Sequence, residues 1–408
     1  MRPWIITLIP LLLSLVLFTP ALSQVELSEL QVEYRFGEYI DFTGEIPTDL
    51  PVQSVQIFIQ QQGEIETLSS PPLIPENGQF QFRLDPNQEM LRAFSNLEYW
   101  YEVVLDDGKA YASPTGSLYY DDNRFEWQQR SASPFDVFWH EGDTAFGQSM
   151  LDISEQGLEQ INTILPVDTP PGVKIYAYAN PVDMRATLQV AGRNWVGAHT
   201  DPDLGVMVVS LPPGPEQRLE MERQIPHELM HILLYQKIGP AYVNLPAWLN
   251  EGLSSVAELY PNSDYPRLLD DAYKNGTLHS IASLCDTFPR EATPAYLAYA
   301  ESASFTRFLL QQYGSSGMER LINAYADGID CQRALQVSLG APLNQLELEW
   351  RRENFGEDPW QTGLSNLAPW LALFAAILLV PVLIVAGSLR RKPVQQEPTQ
   401  KKPANARG

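Results

Sequence analysis

Residues 227–231 read His-Glu-Leu-Met-His. Histidines four apart share one face of a helix, so His227 and His231 can offer imidazole nitrogens to a single metal ion. Glu228 projects to the side of that pair, where it can take a proton from an attacking water rather than ligate. Zinc, with no ligand-field preference and an affinity for neutral imidazole, suits the pair. The plain alternative is a helix face with two unliganded histidines. A second segment argues against it: Pro246-Ala-Trp-Leu-Asn-Glu251-Gly puts a carboxylate twenty residues past His231, on another predicted helix. Two imidazoles and one carboxylate make a catalytic zinc set with its fourth position open.

These segments carry a resemblance. His-Glu-x-x-His followed by Trp248-Leu-Asn-Glu251-Gly is similar to the gluzincin zinc metallopeptidases, thermolysin-like in their catalytic core. More closely, it resembles the bacterial peptidase MA-like domain. There the pattern continues through a helix like Tyr299-Ala-Glu-Ser-Ala-Ser-Phe-Thr-Arg-Phe-Leu-Leu and a Tyr-Gly, here Tyr313-Gly314. The likeness spans roughly residues 134–354, strong at the two metal segments and diffuse elsewhere. It implies zinc held by His227, His231 and Glu251, Glu228 as general base, and a peptide or protein substrate. A metzincin pattern fails, because its glycine and third histidine would fall at Leu234 and Lys237.

Peptide hydrolysis also needs a second donor for the developing oxyanion. Tyr296, Tyr299 and His279 are candidates, and Tyr299, which opens the family-like helix, is singled out as catalytic. The hairpin from Trp195-Val-Gly-Ala-His199-Thr to Gly205-Val-Met-Val-Val reads either as an edge strand that pairs with substrate or as an ordinary core hairpin. His140 and His199 read as structural or solvated, and Asn275-Gly-Thr277 as a turn.

The positioning elements follow from hydrophobic period. Strands are expected near 136–140, 173–179 and 205–211, with a helix over 146–164 between the first two. Beyond Pro213 the chain reads as helices near 216–238, 246–259, 265–274, 294–313, 316–327 and 343–354. Pro226 predicts a helix start or a sharp bend just before His227. Upstream, residues 24–129 alternate with period two: Val55, Ile57 and Ile59 share a face, as do Phe80, Phe82 and Leu84. Tyr101, Val103 and Leu105 run into an Asp107-Gly108 hairpin turn. The expected fold is therefore α+β: an immunoglobulin-like β-sandwich over 24–129, then a zincin domain of small sheet plus helices over 130–358.

The ends differ from the body. Residues 1–23 pair one basic side chain with an apolar run from Trp4 to Phe18, which reads as a secretory signal cut before Gln24 or as an uncleaved anchor. Leu367 to Leu389 carries no charge and is long enough to span a ~30 Å hydrocarbon core. Arg390-Arg391-Lys392 follow at once, which places the tail 390–408 in the cytoplasm and the rest outside a cell membrane crossed once. That tail, polar and Pro-bearing, reads as disordered.

Formal charge is −23, and the basic tail makes the body more acidic still, which excludes nucleic acid as a partner. The two cysteines, Cys285 and Cys331, both fall in the exported part and predict a disulfide. Two functions fit this description. One is an outward-facing, membrane-anchored zinc metallopeptidase. The other is a catalytically silent zincin-fold ectodomain serving adhesion or scaffolding. Glu228 favours the first, since a structural zinc site has no use for a base beside an open coordination position.

Overall fold

The computed structural model describes residues 26–188, 198–357 and 359–389. The expected leader, its cut before Gln24, residues 195–197 of the hairpin and the tail lie outside these. The chain divides into two compact units, residues up to 159 with 167–239, and 160–166 with 240 onward.

The first unit opens with strands β1 (Gln31–Arg35), β2 (Tyr39–Glu45), β3 (Val52–Gln61), β4 (Thr67–Ser69), β5 (Gln79–Leu84), β6 (Ser95–Leu105), β7 (Ala110–Ala112) and β8 (Gly116–Tyr120). They form two sheets, β1-β2-β5 and β4-β3-β6-β7, with β8 also on β6. Period-two alternation buries one face of each, as along β6, where Leu97, Tyr99, Tyr101, Val103 and Leu105 point inward. Val55, Ile57 and Ile59 are fully buried, as expected. Edge-on ring pairs Phe42–Tyr99 (5.5 Å) and Phe80–Tyr101 (4.9 Å) join the sheets. The β6–β7 turn holds Gly108 at φ 83°, a conformation that side chains with a Cβ avoid.

A mixed sheet follows, built from β9 (Gln128–Ala132), β10 (Phe135–Trp139), β11 (Val173–Tyr178), β12 (Ala198–Asp201) and β13 (Val206–Ser210). Its order is β12-β13-β11-β10-β9; β10, β11 and β13 run parallel, so the links between them need crossovers. These are α1 (Thr144–Ile164) and, before β12, α2 (Pro181–Leu188), the latter not foreseen from sequence. β13 is buried along its whole length, as expected of a parallel strand covered on both faces. The sandwich is not a separate module, because one apolar core runs from it into this sheet. Phe94 stacks on Tyr176 at 3.7 Å, and buried Asp122 accepts from Tyr178, Thr187 and Arg124.

Helix α3 (Gln217–Ile238) then packs on β12 and β13. The sequence predicts that it starts or bends at Pro226; the helix does not start there but continues unbroken through that residue. Room comes from Gly157 of α1, where a Cβ would lie only 3.1 Å from the proline ring. Ten buried side chains on α3 offset the missing backbone hydrogen bond.

The second unit is helical: α4 (Ala247–Ala257), α5 (Tyr265–Asn275), α6 (Ala292–Ala326), α7 (Cys331–Leu339), α8 (Leu343–Phe355) and α9 (Pro359–Leu389). α6 is kinked where the two predicted helices part, at Gly314 with φ 63°. Trp248, Phe305 and Trp350 form its centre, with rings 5.1 and 5.9 Å apart. Cys285 and Cys331 are bonded, Cα atoms 6.1 Å apart. α9 carries the apolar run as helix. Among the described residues no helix is long and apolar enough to cross a membrane.

Candidate metal centre

Helix α3 presents His227 and His231 from one face, their ring centroids 5.3 Å apart and tilted by 71°. His231 is buried and His227 half-buried, so the pair lies at the margin of the core rather than on a solvated face. Glu228 turns the other way, towards the sheet, and is 8% exposed. Its carboxylate accepts a hydrogen bond from the Thr200 hydroxyl on β12. Sequence reasoning placed Thr200 in the hairpin but gave its side chain no role; a hydroxyl on a strand beside a motif helix was the available signal.

Among the described residues β12 is the outer strand of its sheet. The turn that follows it is held from the sandwich side. Arg92 donates to both Asp203 oxygens (2.8 and 2.6 Å) and to Asp201 (3.0 Å). These contacts hold the Arg92 guanidinium firmly charged. His199 lies 3.8 Å from Asp201. His140 stacks on Phe125 at 4.3 Å and accepts the Ala179 N–H, while burial lowers its pKa. His140 is thus a packed structural residue.

Glu251 comes from α4, whose fit explains the glycine after it. A Cβ on Gly252 would meet Thr306 Oγ1 at 2.1 Å and the Ser302 carbonyl at 2.6 Å, so α4 and α6 touch backbone to side chain there. The start of α4 is fixed by the Ala247 N–H donating to the Cys285 carbonyl (3.0 Å) and the Trp248 indole N–H to Cys331 Sγ (3.4 Å). Tyr265, at the start of α5, feels the charges of Glu258 and Glu251; burial foremost, and these charges after it, raise its pKa.

The three oxyanion candidates separate. His279 is committed to the fully buried Glu301: its N–H and its Nδ1 each lie 2.7 Å from a carboxylate oxygen. Tyr296 accepts from Asn262 Nδ2 at 2.6 Å on the exposed start of α6. Tyr299 is half-buried, its ring edge-on to Phe288 at 5.0 Å.

Residues 153–355, just under half of the chain, match the model of the Peptidase MA superfamily, which supports a zincin-like peptidase fold. No curated protein sequence matches the chain. Among solved structures it is similar to an M1 zinc metallopeptidase from Deinococcus radiodurans, at 12% identity and TM-score 0.36, over 80% of this chain and 93% of that one. It is also similar to a polysaccharide deacetylase from Bacillus cereus, at 14% identity and TM-score 0.20, over 42% of this chain and 58% of that one. At such scores these two likenesses say nothing further of this chain.

Proposed function

We propose that the protein is a zinc-dependent metallopeptidase of the gluzincin type, exported and tethered to the membrane by α9. One observation carries the reading: His227, His231 and Glu251 each offer a ligand atom within 4.8 Å of the others. Two neutral imidazoles and a carboxylate at that spacing fit zinc, and a three-ligand set leaves room for substrate. Bound zinc supplies Lewis acidity, polarising a carbonyl and acidifying a water.

The chain's own residues do the rest. Glu228 accepts the proton of the attacking water and returns it to the leaving amine. Thr200 holds the Glu228 carboxylate in one rotamer, and β12, the outer strand among the described residues, offers backbone groups to an extended peptide. Tyr299 donates to the oxyanion.

The membrane tether is supported by the exposure of α9. Ile377, Leu378, Leu379 and Val380 are each more than half exposed, and four consecutive residues look out over every face of a helix. A helix apolar all round belongs in lipid rather than water.

Metal analysis and peptide hydrolysis test the centre together. The purified protein should hold close to one zinc, with His231→Ala or Glu251→Gln losing most of it. Glu228→Gln should keep the zinc and lose nearly all hydrolysis. Full zinc retention in His231→Ala refutes the ligand set, and a fully metallated wild type that cleaves no peptide of a broad library leaves a silent ectodomain.

A further inference from the structure

The second unit contains a cavity of about 660 Å³, a volume typical of small-ligand sites. Its long walls are the facing sides of α5 and α6: Tyr265 and Tyr273 two turns apart on one, Ser304 and Arg307 on the other. The end of α8 closes it with Phe355, stacked on Tyr273 at 4.6 Å. From α4 it takes Ser255, one helical turn beyond Glu251 and on the same face. Through Ser255, that end of the cavity lies one helical turn from a proposed zinc ligand.

The charges at the rim do not cancel. Lys274 and Asp270 pair with each other along α5. Arg307 is exposed and makes no ion pair among the described residues. The Ser304 hydroxyl is already engaged by the Trp350 indole and Asn354. What remains is an aromatic slot with one uncompensated guanidinium, a planar fork matched to a carboxylate.

We infer that this cavity is a substrate subsite that takes a carboxylate-bearing residue of the peptide, with Arg307 as its anion-binding group. The inference rests on the metallopeptidase reading. Its carboxylate has two sources, a peptide C-terminus or an acidic side chain, and the aromatic walls pack the rest of that residue.

The test uses the full chain in detergent and matched peptides: free against amidated C-terminus, and Glu against Gln at one internal position. Wild type should favour one carboxylate member of these pairs, and which pair responds identifies the source. Arg307→Ala should erase that preference by raising KM about tenfold or more for the carboxylate peptide, with kcat little changed. Arg307→Lys should recover part of it. Calorimetric titration of the same peptides into Glu228→Gln, with and without Arg307→Ala, reads binding without turnover. Arg307-dependent carboxylate binding in a protein that never cleaves would keep the subsite and sink the peptidase reading. Cleavage with no carboxylate preference, or a preference that Arg307→Ala leaves intact, would overturn the subsite and spare the peptidase.

Discussion

The hydroxyl of Thr200 donates to the carboxylate of Glu228, joining β12 of the mixed sheet to the residue that follows His227 on α3. A general base works only in the rotamer that faces the water it deprotonates, and one fixed hydrogen bond selects that rotamer. Thr200→Val keeps the shape and removes the donor. It should lower kcat about tenfold or more, the worth of a hydrogen bond to a charged group, with zinc content unchanged. Thr200→Ser should restore most of the loss. Wild-type kcat in Thr200→Val would remove Thr200 from the mechanism.

Much of this was legible beforehand, and for physical reasons. His227, Glu228, His231 and Glu251 stand out because helical period and ligand chemistry are both local properties. The break at Gly314 and the Asp107-Gly108 turn were readable for the same reason, since each depends on a backbone conformation that glycine adopts freely. Contacts between distant segments were not readable. Arg92 holding Asp201 and Asp203, or Phe94 on Tyr176, leaves no trace in spacing, so the sandwich looked like a separate module when it in fact buttresses the strand that carries Thr200. That Pro226 lies inside the helix rather than at its start was not readable either, because Gly157, about seventy residues away, makes room for its ring.

Glu301 gives the second unit a pH response. Burial, opposed only in part by His279, raises its pKa from 4.5 to about 7. An acid with a raised folded pKa favours the folded state when protonated. The stabilisation is full below about 4.5, is lost as pH rises towards 7, and is absent above that. The slope is at most about 1.4 kcal/mol per pH unit. Denaturant titrations should therefore show stability falling from this group between pH 5 and 7, and Glu301→Gln should flatten that segment of the profile. Equal slopes in the two proteins would exclude Glu301 as the source.

Chain ended after Glu357 lacks α9 altogether. It should appear in the aqueous fraction with its zinc, while the full chain should partition into detergent and resist extraction from membranes by carbonate. Full-length protein that behaves as a soluble monomer without detergent would count against the tether, and would call for another cover over the apolar sides of α9.

The disulfide concerns stability before chemistry. Cys285 and Cys331 lie 46 residues apart in sequence, and a loop of that size rates roughly 3–4 kcal/mol in the chain-entropy model. The bridge also stands under the first turn of α4, where Ala247 and Trp248 bond to its two residues, a single turn ahead of Glu251. Cys331→Ser should thus lower the thermal midpoint by several degrees, with zinc content and kcat at 25 °C close to wild type, because the core of Trp248, Phe305 and Trp350 still seats the helix. Non-reducing peptide mapping should find the single Cys285–Cys331 linkage in protein taken from its native compartment. Two freely alkylatable thiols there would defeat the prediction and weaken the case that this segment is exported.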